Sequence, residues 1–360
     1  MTEDFVELNR SVYCAKTQEI VNVKLKQNKH EFAAGCFGRL YLLLDKTESC
    51  NDFSPVFVLK TVTITKTRDP YLEIEVLEEL RGSEFITQII YAFYTLKNSI
   101  RHMHIVTEYH ENGTLHSKIY KNRQPYLDLY DYTYSGRKHE QNKDFVIPQN
   151  SVKKWTKQLF TGLSFMHNKS VMHRDIKPEN LVFDSDDNLK IIDFGSAKFL
   201  QADTTSRPNV STLIYRSPEC LMGFSDYWTC VDVWSAACVV AEMVSGAPLF
   251  ISMGGQKYAC SVIFSDFPEK QSVMDQLATI IECIGYPERV VLDELEFKHA
   301  KAIKSVLRHG SRLTNLRTRM IQLDTPFDAE HLKLEGFLLE LLKHDDRMTA
   351  EAALEHDYLK

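Results

Sequence analysis

Four polar residues in one stretch of the chain have the types and the spacing that phosphoryl transfer requires. They are Asp175, Lys177, Asn180 and Asp193, within HRDIKPENLVFDSDDNLKIIDFG at 173–195. In that chemistry one carboxylate orients a hydroxyl, while a second carboxylate and a carboxamide hold Mg²⁺ against phosphates. The spacing therefore predicts a centre that binds Mg²⁺ and transfers a phosphoryl group.

The residues between these groups predict the element that positions them. Two short apolar runs, 181–183 and 189–192, are separated by the polar turn 184–188. Runs of that length around a turn rich in Asp and Asn are typical of a small β-hairpin. Asp175 and Asp193 lie on either side of it.

The order HRDIKPEN, then DFG, resembles the catalytic loop and the metal-binding loop of eukaryotic protein kinases. The alternative is an ordinary hairpin with solvated acids, but the match is long and ordered. The resemblance implies an α+β, bilobal fold, with a small antiparallel β-sheet lobe carrying helix C and a larger, mainly helical lobe. It implies ATP and Mg²⁺ as cofactors, catalytic roles for Asp175, Lys177 and Asn180, and Mg²⁺ ligation by Asn180 and Asp193. Lys177 further resembles the serine/threonine branch rather than the tyrosine branch.

A glycine-bearing turn, AAGCFG at 33–38, lies before the apolar run 39–44. Two glycines three apart are by themselves typical of an ordinary turn. Beside the motifs above, the turn is similar to the kinase glycine-rich loop, whose backbone lies over phosphates. The ATP contacts that the resemblance implies here are Ala33, Gly35, Gly38, Leu40 and, in the large lobe, Val182. Ala33 stands where the family has its first glycine, and because alanine disfavours positive φ we expect a reduced nucleotide affinity.

A lysine and a glutamate are expected to position the nucleotide together. The β-rich run 55–60 ends in Lys60 and resembles the strand whose lysine reaches the α- and β-phosphates. Residues 69–80 have apolar side chains at helical spacing and resemble helix C. This pattern selects Glu73 as the partner of Lys60, with Glu75 as the second choice.

The apolar run 103–109 leads into a polar, glycine-bearing loop, which indicates a boundary. The resemblance makes 108–113 the hinge between the lobes, where backbone groups of Glu108 and His110 bind adenine. Thr107 would occupy the gatekeeper position. Whether it leaves room behind the adenine or only packs stays open.

The segment 193–219 resembles a kinase activation segment that ends in Ser-Pro-Glu. The resemblance places Thr212 near Asp175 and Lys177, where it helps to shape the site for a substrate hydroxyl. The family's activation-loop tyrosine falls on Asn209, so no autophosphorylated tyrosine is expected there. The candidate phosphate acceptors that remain in the loop are Thr204, Thr205 and Ser206.

Three residues of the large lobe are expected to act as scaffolding. The helix predicted over 231–245 resembles the buried helix F of the family, which implies that Asp232 binds backbone groups near His173, and a buried carboxylate needs such partners. The resemblance pairs Glu219 with Arg347. A second core helix is predicted from an apolar stripe with 3.6-residue recurrence: Val152, Trp155, Leu159, Leu163 and Met166.

Several motifs are similar to the branch that contains cyclin-dependent, mitogen-activated and glycogen synthase kinases. They are DFGSAK at 193–198, YRSPE at 215–219 and DVWSAACVVAEMVSG at 232–246. Within that branch, glycogen synthase kinase 3 is the closest resemblance, through DFGSAK, PNVS at 208–211 and DQL at 275–277.

That resemblance raises the question of substrate priming, since glycogen synthase kinase 3 grips a phosphate already on its substrate with three basic groups. Two of them are present, as Arg174 and Lys198, whereas the third position is Leu72. Arg68 lies one helical turn earlier and could substitute in part. The alternative is that Arg174 and Lys198 only order the activation segment. We expect at most a weak preference for primed substrates.

Composition sets the broad class. The 360 residues are 44% hydrophobic and 26% charged, with a net charge of −6, which indicates a globular protein without a sequence-wide basic field for nucleic acid or membrane. None of the eight cysteines forms a CxxC pair. With no apolar segment near residue 1, reduced thiols in the cytoplasm or nucleus are expected.

The predicted organisation is an N-terminal extension, 1–22, followed by a kinase domain over 23–359. Within the domain the small lobe is 23–107, the hinge 108–113 and the large lobe 114–359. Residues 118–150 and 251–271 are interpreted as insertions of unknown role.

The predicted function is phosphorylation of serine and threonine hydroxyls of protein substrates, with a scaffold or regulatory protein at the large lobe as a further candidate partner. The rival interpretation is a pseudokinase that uses the fold only to bind partners. Phosphorylation of a small molecule is a third reading, which the activation segment disfavours.

Overall fold

The computed structural model describes 12 parts of the chain: 5–14, 19–28, 33–35, 38–45, 56–65, 70–120, 147–200, 211–225, 227–250, 269–285, 316 and 328–360. Up to residue 38 this description is of the backbone alone. Several expectations fall outside the described residues: those on Arg68, Thr204, Thr205, Ser206 and Asn209, on 121–146 of the first insertion and on 251–268 of the second.

Seven strands form the sheet of the small lobe. They are β1 Phe5–Cys14, β2 Glu19–Asn28, β3 Ala33–Gly35, β4 Gly38–Asp45, β5 Val56–Thr63, β6 Ile89–Lys97 and β7 Ile100–Glu108. All pairs are antiparallel, in the order β2-β1-β6-β7-β5-β4-β3. Because β2 also pairs with β4, six of the strands close into a barrel.

Strand β1 was not anticipated in the sequence. It lies in the stretch that we set apart as an extension, pairs with β2 over its full length and also reaches β6. Its alternation of apolar and polar residues is interrupted by Asn-Arg-Ser at 9–11, so the period of two is lost halfway. Backbone pairing with two neighbours, rather than the local pattern, defines this strand.

The two faces of the sheet have separate cores. One face buries a small cluster made of Leu43, Leu59, Phe93 and Val106. The other packs against helix α1, Tyr71–Glu79, whose Val76 and Leu77 belong to the main core. Strand β7 serves both cores, since Val106 belongs to the small cluster and Met103 and Ile105 to the main core, which follows from the two-residue period of a strand.

The large lobe is mainly helical. The described helices are α2 Leu115–Tyr120, α3 Gln149–Asn168, α4 Pro218–Leu221, α5 Cys230–Ser245, α6 Glu269–Ile284, α7 Ala329–Leu341 and α8 Ala350–Leu354. The predicted apolar stripe of α3 is buried throughout, and α5 is buried on nearly all sides. None of the described helices is both long and apolar enough to cross a membrane. The α+β, bilobal prediction is confirmed.

Short strands carry the catalytic segments of this lobe: β8 Val171–Met172, β9 Leu181–Phe183, β10 Leu189–Ile191 and β11 Lys198–Phe199. The predicted hairpin is present as β9 and β10, paired antiparallel. Asp184 closes its turn, since its Oδ1 accepts hydrogen bonds from the backbone N–H of Asp186 (3.1 Å) and Asn188 (2.9 Å).

Candidate active site

Both carboxylate oxygens of Asp175 are occupied by groups that the sequence placed near it. Lys177 Nζ lies 2.9 Å from Oδ2, and Asn180 Nδ2 donates to the same oxygen at 3.1 Å. Thr212 donates to Oδ1 from both its backbone N–H (3.1 Å) and its hydroxyl (3.2 Å). Asp175 is 5% exposed, and three hydrogen bonds and one ion pair fix the orientation of its carboxylate.

Asp232 holds the catalytic loop from below. Its carboxylate accepts the backbone N–H of His173 at 2.8 Å and of Arg174 at 2.7 Å, and lies 3.1 Å from His167 Nε2. Burial alone raises the pKa of Asp232, but these hydrogen bonds and the neighbouring histidines outweigh it and lower the pKa. The predicted backbone contacts near His173 are confirmed. They hold the backbone of Arg174 at a φ of 66°, a conformation that residues other than glycine rarely adopt.

Asp193 follows β10 and turns back toward the small lobe. Its φ and ψ are 62° and 77°, and its Oδ1 lies 2.7 Å from Lys60 Nζ. Burial raises the pKa of Asp193, but the charge of Lys60 and its hydrogen bond lower the pKa by more, so the net pKa is below its usual range. His173 Nε2 donates to the Ile192 carbonyl at 2.9 Å and thereby fixes the backbone just before Asp193.

Lys60 bridges the two lobes. Its Nζ lies 2.6 Å from Glu73 Oε1 in addition to its contact with Asp193. Burial lowers the pKa of Lys60, whereas the two carboxylates raise it more, so the net pKa is above its usual range. The first-choice partner, Glu73, is thus the one that the structure provides, and Glu75 is exposed on the other side of α1.

The expected nucleotide contacts are distributed over the small lobe, the hinge and the large lobe. Backbone pairing sets Gly35 opposite Gly38, and Leu40 opposite Lys60, on neighbouring strands. Val182, from the large lobe, is 7% exposed. The remaining members, Ala33, Glu108 and His110, are located by their backbones at the start of β3, at the end of β7 and in the hinge. Their roles toward ATP stay predictions.

Comparison with known proteins gives a protein kinase domain match over residues 27–359. The chain belongs to the protein kinase domain family.

Three curated relatives show what this kinase domain is similar to. It is 29% identical to mitogen-activated protein kinase KSS1 of Saccharomyces cerevisiae, over 72% of this chain and 70% of that protein. It is 35% identical to glycogen synthase kinase 1 of Pyricularia oryzae, over 53% and 44% of the two chains. With serine/threonine kinase NLK of Caenorhabditis elegans the identity is 33%, over 61% and 32%. Except for KSS1, the match spans less than half the length of these relatives. The predicted branch is confirmed, whereas the narrower likeness to glycogen synthase kinase 3 stays a prediction.

The side chains of this kinase domain fit a Mg²⁺ ion bound together with phosphates. No three His, Cys, Asp or Glu side chains cluster as metal ligands in the part of the chain that the structure describes. Two oxygen donors, Asp193 and Asn180, belong to segments joined by the hydrogen bond from Ile192 N–H to the Asn180 carbonyl, at 3.0 Å. Asn180 Nδ2 donates to Asp175, which directs its Oδ1 away from that acid. Few protein ligands and several phosphate oxygens are what Mg²⁺ prefers.

The basic groups that resemble a priming pocket are near one another. Arg174 donates to the Ser196 carbonyl at 2.7 Å and lies 3.4 Å from the Tyr227 hydroxyl. The pKa of Lys198 is lowered, by partial burial and by the Arg174 charge. Leu72, at the third position, is half-buried and packs on the main core.

The end of the activation segment is held by two contacts. Glu219 and Arg347 form the expected ion pair, with 2.8 Å between Arg347 Nη1 and Glu219 Oε1. Ser211, just before Thr212, has a φ of 63°, and its carbonyl accepts a hydrogen bond from Arg216 Nη2 at 2.8 Å.

A buried carboxylate that the sequence analysis did not select lies beneath this segment. Glu242 of α5 is 0% exposed and accepts hydrogen bonds from the hydroxyls of Tyr120 (2.6 Å) and Tyr215 (2.7 Å). Burial is the main reason that its pKa is raised to about 7. The available signal was an acid inside the apolar run VVAEMV. Its partners could not be read from the sequence, because Tyr120 is 122 residues away.

Proposed function

We propose that this kinase domain transfers the γ-phosphate of ATP to serine and threonine hydroxyls of protein substrates. The observation that carries the proposal is the position of Asp175, oriented by Lys177 and Thr212 on the large-lobe side of the site. Lys60 pairs with Asp193, and the preceding residue, Ile192, bonds to Asn180, which in turn bonds to Asp175. The group proposed to act on the hydroxyl and the groups proposed to hold the phosphates are thus connected.

In the proposed reaction the substrate hydroxyl donates its hydrogen bond to Asp175 and passes its proton to that carboxylate. The hydroxyl oxygen bonds to the γ-phosphorus as the bond from that phosphorus to the bridging oxygen of ADP breaks. Lys177 steadies the transferring group, and Lys60, held by Glu73, positions the other phosphates. Asn180 and Asp193 would hold a Mg²⁺ ion, which would neutralise phosphate charge. Positioning and electrostatics supply most of the effect.

The pKa of Lys177 supports its role. Burial lowers this pKa, but the nearby Asp175 carboxylate raises it more, and the net pKa is above the usual range. Lys177 therefore stays cationic in the pH range in which kinases are assayed, which is what a group that contacts the transferring phosphoryl requires.

Within the branch, we assign this domain a glycogen synthase kinase 3-like role, on the motifs DFGSAK and PNVS. The cytoplasm or nucleus is its proposed location, since the described cysteines at 220, 230, 238 and 283 are free thiols. Its proposed partners are protein substrates and a regulatory protein at the large lobe.

Radiolabelled ATP and a mixed serine/threonine peptide library test the proposal. The parent protein should label serine- and threonine-containing peptides in the presence of Mg²⁺. Asp175→Asn should lose turnover by roughly 100-fold or more while its ATP affinity stays within about threefold, because its role is toward the hydroxyl. Absence of label with the parent would reject phosphoryl transfer. A tenfold loss of ATP affinity in the variant would reject the assigned role of Asp175.

A further inference from the structure

The side chain of His110 is buried although it belongs to the hinge that links the two lobes. Its side chain is 7% exposed, and its Nε2 lies 3.1 Å from the hydroxyl of Thr87. Thr87 is itself 3% exposed and belongs to the loop between α1 and β6, residues 80–88. The buried hydroxyl and the buried imidazole thus form a hydrogen bond with each other. Burial of either group without a hydrogen-bond partner would cost free energy.

The loop that carries Thr87 is tied to the strand that precedes Asp193. Thr87 N–H donates to the Ile191 carbonyl at 3.1 Å, and Ile191 N–H donates to the Phe85 carbonyl at 2.9 Å. Lys190 Nζ donates to the Glu84 carbonyl at 2.6 Å. A group bonded to Thr87 is therefore connected to β10 of the large lobe, two residues before Asp193.

A second set of contacts joins the hinge to the same loop. The backbone N–H of Glu108 donates to the Gln88 carbonyl at 3.2 Å, and Gln88 N–H donates to Glu108 Oε2 at 3.1 Å. These contacts hold the end of β7, whereas only the His110 side chain among the described hinge contacts ties residue 110 to this loop.

Burial is the main reason that the imidazole is neutral. Burial and the Lys190 charge lower the pKa of His110 to about 4, and the Asp184 charge opposes this only in part. Glu108 Oε2 lies 4.0 Å from Nε2. A neutral ring has one donor and one acceptor nitrogen, and a threonine hydroxyl can pair with either.

We propose that the His110 side chain is a positioning residue, which fastens the hinge to Thr87 and so fixes the backbone that holds adenine. The inference rests on the proposed function, because the backbone that His110 fixes is the one proposed to bind the adenine of ATP. Backbone contacts hold the hinge on either side of residue 110, at Glu108 through Gln88 and at Asn112 through Phe183, and the His110 side chain would fix the backbone between them. Preorganisation of a binding segment lowers the cost of ordering it on binding.

Thr87 allows a test that leaves the hinge sequence unchanged. Thr87→Val keeps the shape and removes the hydroxyl, and Thr87→Ser is the matched control that retains it. We expect the Kd for ATP to rise about three- to tenfold in Thr87→Val and less than twofold in Thr87→Ser, the range for one lost hydrogen bond. The kcat at saturating ATP should change less than twofold in both, since the hydroxyl side of the site is untouched. Equal ATP affinities in Thr87→Val and the parent would overturn the proposal.

Hydrogen exchange without nucleotide separates this proposal from the proposed function. Amides 109–111 should exchange at least about fivefold faster in Thr87→Val than in the parent, and at the parent's rate in Thr87→Ser. This result does not depend on ATP. If the parent binds no ATP, the proposed function fails; if exchange at 109–111 is equal in parent and Thr87→Val, the hinge contact fails, whatever the activity.

Variants of His110 complete the test. His110→Leu should raise the Kd for ATP as much as Thr87→Val, and the double variant should add little to either, because both remove one shared contact. His110→Gln, whose amide reaches toward the Nε2 position, should restore at least half of the lost affinity on a logarithmic scale. Additive effects in the double variant, or no rescue by glutamine, would mean that His110 acts only by packing.

Discussion

The two halves of the site are held in different ways. On the large-lobe side, the catalytic loop is bonded through its backbone N–H groups to the buried carboxylate of Asp232, and the segment that carries Thr212 lies above a second buried acid, Glu242. On the small-lobe side, Lys60 depends on two ion pairs, with Glu73 and Asp193. The large-lobe half is therefore held by buried groups of the core, whereas the small-lobe half is held by ion pairs.

This difference indicates what each half can do. Backbone contacts to a buried carboxylate cannot be exchanged without loss of the fold. The contact between Lys60 and Asp193 can be exchanged, because phosphates and Mg²⁺ are alternative partners for the same two groups. We expect variants of the large-lobe supports to affect stability, and variants of the small-lobe ion pairs to affect nucleotide use.

The largest effect is expected where the halves meet. Asp193→Asn removes the ionised oxygen offered to Mg²⁺, and a neutral amide is a much weaker ligand. We expect kcat to fall roughly a thousandfold or more, about 4 kcal/mol of barrier, with the melting temperature nearly unchanged. Asp186→Asn, in the exposed turn between β9 and β10, is the matched control. Turnover equal to the parent's would remove Asp193 from the site.

A large effect on stability is expected at Glu242. Its pKa is about 7 against an ordinary 4.5, so the folded protein binds a proton more tightly than the unfolded chain does. The stabilisation is complete below pH 4.5 and is lost as the pH rises through 7. Relative to Glu242→Gln, the parent's free energy of unfolding should therefore fall by about 3 kcal/mol between pH 4 and pH 8.

Denaturant titrations across that pH range measure the Glu242 effect. Glu351→Gln, on the exposed surface of α8, is the control and should follow the parent at every pH. Parallel curves for the parent and Glu242→Gln would show that the burial of this acid does not alter its titration.

A smaller effect, on nucleotide use alone, is expected from Glu73→Gln. The variant removes one of the two charges that position Lys60, and we expect the KM for ATP to rise roughly tenfold with the unfolding free energy within about 1 kcal/mol. Glu75→Gln changes an exposed acid two residues away and should change KM less than twofold. A larger effect from Glu75 than from Glu73 would reverse the assignment.

Substrate priming should change modestly in Leu72→Arg. The parent has two of the three basic groups, so matched peptides with and without a priming phosphate should differ by less than about tenfold in kcat/KM. The variant should increase the preference by up to about tenfold, because a new charge-assisted contact is offset by the loss of the Leu72 packing. A hundredfold preference in the parent would show that the pocket is complete without position 72.

The smallest effect is expected from Ala33→Gly in the glycine-rich turn. Gly35 and Gly38 lie opposite each other at the end of the β3–β4 hairpin and already give the closest backbone approach. The substitution should tighten ATP binding by less than tenfold, that is by under about 1.4 kcal/mol. Calorimetric titration with ATP measures it, and weaker binding by the glycine variant would contradict a restricting role for Ala33.

The sequence by itself determined the chemistry of the large-lobe half. Asp175, Lys177, Asn180 and Asp193 lie within one short segment. Their types and spacing can therefore be recognised without knowledge of any residue that is distant in the sequence. The hairpin that separates them was predictable for the same reason, because its apolar runs and polar turn are contiguous. The role of Asp232 came from the resemblance of its helix to the buried helix of the family, whereas Glu242, an acid in the same apolar helix, was not selected.

Only the tertiary structure decided which distant groups meet. Strand β1 is defined by its pairing with β2 and β6, because its alternation of apolar and polar residues is interrupted and does not predict a strand. Glu242 met Tyr120 across 122 residues, and His110 met Thr87 across 23. Such contacts depend on how helices and strands pack, and no local period of two or 3.6 residues encodes the partner at the far end.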